Sequence, residues 1–302
     1  MSSLIISGLV LSLLVLNGAK IFGPLSAVAN NKTSPTSLNQ PFQKSSRLAY
    51  PTPIANPKPI SVGASSATIY DLDSGVKLYD KASGQQRPIA SITKLMTALV
   101  IMDAHAPDEI VTVGNIPELG SYDQKIGISW SEKFKLIDMM KALLIYSAND
   151  AANALAIYDS GSIEAFANKM NAKASQWGLK NSKFVNPSGL DQAGNYSSAD
   201  DILTLAGLLY KNQIFQTIVS TSSDQIYDLQ GKPYKLVTTN KLLGQNGVVG
   251  MKTGYTIASG ECLITVAQRG GHSIMTVVLD SPDRFQESKS MIDWSFNNYI
   301  WQ

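Results

Sequence analysis

Ser91 and Lys94 stand three residues apart at the head of an apolar run that reaches Met102. On a helix this spacing brings both side chains to one face, a hydroxyl beside an amine. A serine hydroxyl is a weak nucleophile until a base takes its proton, and a lysine held neutral is such a base. The pair therefore suits attack on a carbonyl. Spacing alone proves little, since Ser74 and Lys77 repeat it; there Asp73 precedes and Gly75 follows, so that copy reads as a hairpin turn with a solvated lysine. The Ser91 copy differs in opening a helix-compatible segment with two further motifs downstream, Ser147-Ala148-Asn149 and Lys252-Thr253-Gly254.

The elements that must position these residues follow from periodicity. Ala67 to Tyr70 and Val76 to Tyr79 read as short strands of a hairpin, ahead of the helix carrying Ser91, which closes near Asp103 to Pro107. Gly114, Pro117 and Gly120 mark an irregular connection. Ser131 to Tyr146 and Asp150 to Tyr158 read as two helices, so Ser147 and Asn149 fall at the break between them. Apolar residues from Ile163 to Trp177 repeat at helical spacing up to Gly178, and another helix starts at Ser198, with Asp201 as its capping partner. After Ser220 the pattern turns to strands: Gln225 to Leu229 and Tyr234 to Val237 as a hairpin, then Gly250 to Thr256, Glu261 to Arg269 and His272 to Leu279. Arg284 to Tyr299 closes the chain as a helix. An N-terminal hairpin, a helical middle and a C-terminal meander make an α+β arrangement whose sheet is shared by both ends of the chain.

Composition narrows the class. The 302 residues, 44% hydrophobic and 16% charged, suffice for a sizeable core. A net charge of +2 without a dense Lys/Arg cluster argues against a nucleic-acid partner. With one cysteine no intramolecular disulfide forms, and Cys262, within an apolar strand, reads as a small buried residue. The sparse cysteine and histidine, with His105 and His272 the only histidines, give no metal site, and no cofactor is expected. Leu4 to Leu16 is apolar and Ala27-Val28-Ala29 suits a signal-peptidase site, so residues 1–29 read as a signal peptide or an N-terminal anchor. Residues 30–60, with Pro35, Pro41, Pro51, Pro53, Pro57 and Pro59, read as a disordered linker that would tether the domain if the apolar segment stays in a membrane. The domain itself is expected over 61–302, its sheet part about 61–86 and 225–302 and its helical part about 87–224.

Ser-x-x-Lys, Ser-x-Asn and Lys-Thr-Gly in this order resemble the signature of penicillin-binding proteins and class A β-lactamases. From about Ser66 to Trp294 the chain is similar to the low-molecular-weight penicillin-binding proteins of the D-alanyl-D-alanine carboxypeptidase type, serine peptidase family S11. Arg87-Pro88-Ile89-Ala90-Ser91, Asn149 to Ala156, Phe184 to Asp191 and Gly250 to Thr256 carry the likeness. It implies a β-lactamase/transpeptidase-like fold: a five-stranded antiparallel sheet with flanking helices, a helical subdomain, and an active site between them.

Carried over residue by residue, the likeness implies that Ser91 attacks the carbonyl between two terminal D-alanines of a peptidoglycan stem peptide, with Lys94 as base. Ser147 would relay a proton to the departing amine and Asn149 would hold the substrate amide and Lys94. Lys252 and Thr253 would bind the terminal carboxylate. Gly254 would let substrate lie against the strand, and the amides of Ser91 and Tyr255 would form the oxyanion hole. Arg284 matches a carboxylate-binding arginine loosely and reads equally as a surface arginine capping the last helix. Val249 and Asn195-Tyr196 depart from the family's common Asp and His. The chain ends soon after its last helix, as in the family's shorter members, some of which cut cross-links.

The implied activity is an exported D,D-carboxypeptidase acylated by penicillin and other β-lactams, in the cell wall, the periplasm or secreted. D,D-endopeptidase action on cross-links and an inactive wall-binding scaffold are the competing readings. A class A β-lactamase would need a deacylating glutamate, and Asn181 to Gly194 contains none.

Overall fold

The computed structural model describes residues 49–302. The expected signal peptide or anchor at 1–29, and the linker up to residue 48, lie outside them. In chain order the elements are β1 (Pro51–Pro53), β2 (Ser66–Asp71), β3 (Lys77–Lys81), a 3-10 turn (Ala90–Thr93) leading into α1 (Lys94–Ala104), β4 (Ile110–Thr112) and β5 (Lys133–Lys135). Then come α2 (Leu136–Lys141), widening into a π turn (Ala142–Tyr146), α3 (Asn149–Ser160), α4 (Ile163–Gln176), α5 (Ala199–Leu209) and α6 (Gln213–Val219). The last third holds β6 (Ser223–Tyr227), β7 (Pro233–Val237), β8 (Val248–Thr256), β9 (Gly260–Arg269), β10 (His272–Ser281), α7 (Arg284–Asn298) and β11 (Tyr299–Trp301).

Five strands form one antiparallel sheet in the order β3-β2-β10-β9-β8, so the two ends of the chain share it, as the pattern predicts. Alternation along the strands serves two cores. Cys262, Ile264 and Val266 of β9, with Met275, Val277 and Leu279 of β10, face the core shared with the helical middle. Leu263, Ala267, Ile274 and Val278 face the other way, onto Met291 and Ile292 of α7. The helix α1 is buried along Lys94 to Ile101 and is apolar all round, which a helix tolerates only at the centre of a core.

Three local features differ from the sequence reading. Ser91 precedes the α-helix proper, in the tighter turn that enters it. The helix expected from Ser131 begins at Leu136, because Lys133–Lys135 pairs instead with Ile110–Thr112 inside the supposed irregular connection. The segment 49–60 does not behave as a linker: β1 pairs with β11, Tyr50 N donates to Gln302 O (2.9 Å), and Lys58 N donates to Asn298 Oδ1 (2.6 Å). Composition assigned these prolines to a linker because their partner strand lies about 250 residues away; proline is accommodated at an edge strand where its missing N–H is not required. The second Ser-x-x-Lys copy is a turn, with Ser74 donating to Asp71 and an exposed but ion-paired Lys77 between Asp80 and Asp200.

Candidate active site

The apolar sequence of α1 buries the helix, and burial carries Lys94 with it: its side chain has no exposed surface. Its amine has three oxygen neighbours. Nζ lies 2.9 Å from Ser91 Oγ, 2.6 Å from Asn149 Oδ1 and 2.6 Å from the Ser188 carbonyl. A neutral amine has two N–H groups and one lone pair. The two carbonyl oxygens can take both N–H groups, which leaves the lone pair for the Ser91 hydroxyl proton. Desolvation, and then the Lys252 charge, hold the Lys94 ammonium well below its ordinary range, while Asp150 and Asp123 oppose that shift.

The break between α2 and α3 makes the second motif. The π turn ends at Ser147 in the left-handed region (φ 68°), and α3 restarts at Asn149. One unusual backbone residue thereby turns Ser147 and Asn149 toward two different lysines. Asn149 meets Lys94, whereas Ser147 Oγ accepts from Lys252 Nζ at 2.7 Å. Lys252 also donates to the Thr253 carbonyl (3.0 Å) and is 1% exposed. Burial, and secondarily Arg284, pull its ammonium down to about 7.

β8 is an edge strand of the sheet, and the serine turn packs against it at Gly254. A Cβ on Gly254 would lie 2.9 Å from the Ile89 carbonyl oxygen and 3.2 Å from Ala90 Cβ. The missing side chain thus makes room for the turn that carries Ser91, a correction to the expectation that it clears space for substrate. Gly189, which sequence reasoning did not single out, makes a closer approach: at φ +82°, its Cβ would fall 1.9 Å from the Ala90 carbonyl oxygen. The adjacent Ser188 carbonyl is the third oxygen on Lys94, and Thr97 Oγ1 donates to the Pro187 carbonyl at 2.7 Å. The only sequence signal for this loop was its place in the quoted Phe184 to Asp191 segment. Asn195, one of the departures, is buried and donates to Thr93 Oγ1 (3.0 Å), supporting the serine turn.

A cleft of about 690 Å³ opens over Ser91, with Ser147, Asn149, Thr253, Gly254, Tyr255 and Arg284 on its surface. Lys252 lies beneath it. Arg284 reaches into the site: Asp283 caps α7 by accepting from Gln286 N, while Arg284 Nη1 donates to the Gly254 carbonyl at 2.7 Å. The surface-cap reading of Arg284 is therefore set aside. Tyr255 is 62% exposed at the rim, and Thr239, which no motif marked, lies 2.5 Å from Thr253, hydroxyl to hydroxyl. The loop residues Tyr122, Asp123 and Gln124 form the opposite wall and had no motif to reveal them. The sole cysteine lies apart from this cleft, buried on β9, its thiol pushed up to about 11 by burial.

The model of peptidase family S11, D-alanyl-D-alanine carboxypeptidase, matches residues 53–283. The D-alanyl-D-alanine carboxypeptidase DacF of Bacillus subtilis (strain 168) is 36% identical over 246 residues, covering 78% of this chain and 63% of that protein. The D-alanyl-D-alanine endopeptidase of Escherichia coli (strain K12) is 34% identical over 229 residues, covering 73% and 72%. This chain thus spans less than two thirds of the first relative. Among solved structures, the Streptomyces K15 DD-transpeptidase superposes with a TM-score of 0.73 at 28% identity, over 80% of this chain and 99% of that one. Penicillin-binding protein D2 of Listeria monocytogenes, in its ampicillin-bound form, gives 0.69 at 30% identity, over 79% and 100%.

Proposed function

The chain belongs to the D-alanyl-D-alanine carboxypeptidase family, peptidase family S11, and from that premise we propose that it is an exported serine D,D-peptidase that removes the terminal D-alanine from peptidoglycan stem peptides. The observation that carries the reading is the pair of buried lysines, each bonded to one motif serine: Lys94 to Ser91 and Lys252 to Ser147. Lys94, neutral and with both N–H groups committed to Asn149 and Ser188, takes the Ser91 proton as Oγ bonds to the carbonyl carbon. The amides of Ser91 and Tyr255 receive the developing oxyanion. The C–N bond then breaks as the proton that Lys94 took from Ser91 passes to the departing D-alanine amine, with Ser147, held by Lys252, as the relay, which leaves Lys94 neutral again. Thr253 and Arg284 meet the terminal carboxylate on the cleft surface, and Lys252 beneath adds an attractive field in the fraction of molecules in which it keeps its proton. Water then adds hydroxide to the acyl carbon, and its remaining proton returns to Oγ, which regenerates Ser91.

A β-lactam would acylate the same serine. The absence of a glutamate from Asn181 to Gly194 leaves no counterpart to a deacylating base, so the adduct is expected to persist. Cross-link cleavage is the second reading, favoured by the E. coli endopeptidase, of which this chain covers a larger share than of the B. subtilis carboxypeptidase. The test treats the purified protein and its Ser91→Ala form with penicillin, maps any added mass by peptide mass spectrometry, and assays a pentapeptide and a cross-linked dimer. An adduct on Ser91 with D-alanine release from the pentapeptide supports the carboxypeptidase; cleavage of the dimer alone supports the endopeptidase. Folded protein with neither adduct nor turnover refutes both and leaves a wall-binding scaffold.

A further inference from the structure

Asp150, the residue after Asn149, is 2% exposed, yet no ion pair to a Lys, Arg or His is formed by it among the described residues. Its carboxylate is held by backbone amides. Oδ2 accepts from Gly127 N (2.7 Å) and Ile128 N (3.2 Å), and Oδ1 accepts from Ile126 N (3.3 Å) and Ala151 N (2.9 Å). It sits in the first turn of α3, where the helix dipole favours an anion and where the N-cap, Ala148, has no side chain with which to cap. Three of the four donors belong to another part of the chain, the segment that follows Tyr122, Asp123 and Gln124 in the cleft wall.

That segment is strapped to the same junction twice more. Asn149 N donates to the Gln124 carbonyl (2.8 Å), and Gln124 Nε2 donates to the Tyr146 carbonyl (3.0 Å). Residues 124–128 are therefore bonded to residues 146–150 on both sides of Ser147. Gly127 has φ +80°, the backbone turn that lets consecutive amides converge on one carboxylate. The chain has invested a buried charge in this contact, and a buried charge is costly unless its hydrogen bonds are met.

We propose that Asp150 is a positioning residue for the reaction: its carboxylate anchors segment 124–128, and through it the cleft-wall residues Tyr122, Asp123 and Gln124, and locks Asn149 against the amine of Lys94. The inference rests on the proposed role of Lys94 as base, and it adds an electrostatic consequence. The charges acting on Lys94 are the cation of Lys252 and the anions of Asp150 and Asp123, the latter two favouring its charged form. Asp150 thus works, against burial and the Lys252 charge, toward keeping a proton on Lys94, and its loss would let Lys94 stay neutral to lower pH.

Asp150→Asn tests this, because it keeps the shape, removes the charge and turns an acceptor into a donor facing the loop amides. In the full-length protein, hydrogen exchange at Gly127 and Ile128 is expected to accelerate about tenfold or more, the loss of one charge-assisted bond. The acid limb of the pH profile for acylation by a chromogenic β-lactam is expected to move to lower pH, since Lys94 loses an anion that favoured its proton. Gln124→Ala, which loosens the wall without changing charge, is expected to weaken binding and leave the acid limb in place. A limb that does not move in folded, active Asp150→Asn, or amides no less protected, overturns the proposal. If that variant does not fold, exchange in the wild type decides: Gly127 and Ile128 amides as protected as those of α3 support the contact, and free exchange refutes it. A wild type without acylation would instead refute the proposed function, leaving the exchange result to judge the wall.

Discussion

Replacing Lys252 by methionine is expected to make the stability of the protein much less dependent on pH. The methionine keeps an aliphatic stem in a site where the lysine is 1% exposed. The native ammonium is pulled from 10.5 to about 7, first by burial and then by Arg284. An unfolded lysine keeps its proton up to its ordinary value, so between about 7 and 10.5 the unfolded chain holds a proton that the native chain has released. Stability of the wild type therefore rises with pH through this window, and below it the full cost of burying the charge is present. At about 1.4 kcal/mol per pH unit the interval amounts to about 5 kcal/mol, an upper figure before relaxation of the site. The variant forfeits the bonds to Ser147 Oγ and the Thr253 carbonyl, about 1 kcal/mol each, but that loss is nearly the same at every pH. It also relieves Lys94 of a neighbouring cation, which raises its ammonium from its burial-depressed range and flattens the curve further. Urea unfolding of both proteins from about pH 6 to about pH 10 measures the effect, because groups common to both cancel in the difference. The stability of wild type relative to variant is expected to climb by about 3–5 kcal/mol across that range. Parallel curves would refute the argument that the fold holds this amine near neutrality. Acylation by penicillin should fall in the same variant, stability and activity being opposed at this position.

Four further outcomes follow from single contacts. Asn149→Ala leaves one Lys94 N–H without its acceptor, and acylation should slow by about 10²–10⁴-fold with circular dichroism unchanged; an unchanged rate would mean that the Ser188 carbonyl alone orients the amine. Gly254→Ala drives a Cβ to 2.9 Å from the Ile89 carbonyl oxygen, so the variant should lose about 1–3 kcal/mol in urea unfolding along with acylation, and wild-type behaviour would show that the serine turn can yield. Arg284→Ala should raise KM for a peptide ending in a carboxylate and leave its C-terminal amide analogue unaffected, and should shift the Lys252 titration upward because Arg284 now lowers it; equal effects on both peptides would return Arg284 to a structural role. The Cys262 thiol, fully buried and pushed up to about 11, should resist alkylation near pH 8 until urea unfolds the chain, and labelling of the native protein at the unfolding-independent rate would contradict its burial.

The sequence by itself carried the strand and helix alternation, the sheet shared between chain ends, and the three motifs, because each is written in local period or in residue type. The runs Glu261 to Arg269 and His272 to Leu279 read as strands, and that each serves two cores is seen only in the structure. The break at Ser147 was visible as a polar interruption between apolar periods, although the left-handed backbone that splits Ser147 from Asn149 was not. What only the tertiary structure decided was which groups meet across long separations. Composition placed 49–60 in a linker because strand pairing with Tyr299–Trp301 leaves no local trace. The Ser188 carbonyl and the Gly189 approach were hidden because backbone atoms carry no residue type, and the role of Gly254 was misjudged because spacing does not say which neighbour fills an absent side chain. Arg284 is assigned to the cleft by a bond 30 residues back along the chain, and Asp150 to the segment that continues from the cleft wall by amides more than 20 residues away. The basicity of the two lysines belongs to the same category. Lysine as a residue type is a solvated cation, and only burial, with a second cation nearby, converts it into a base.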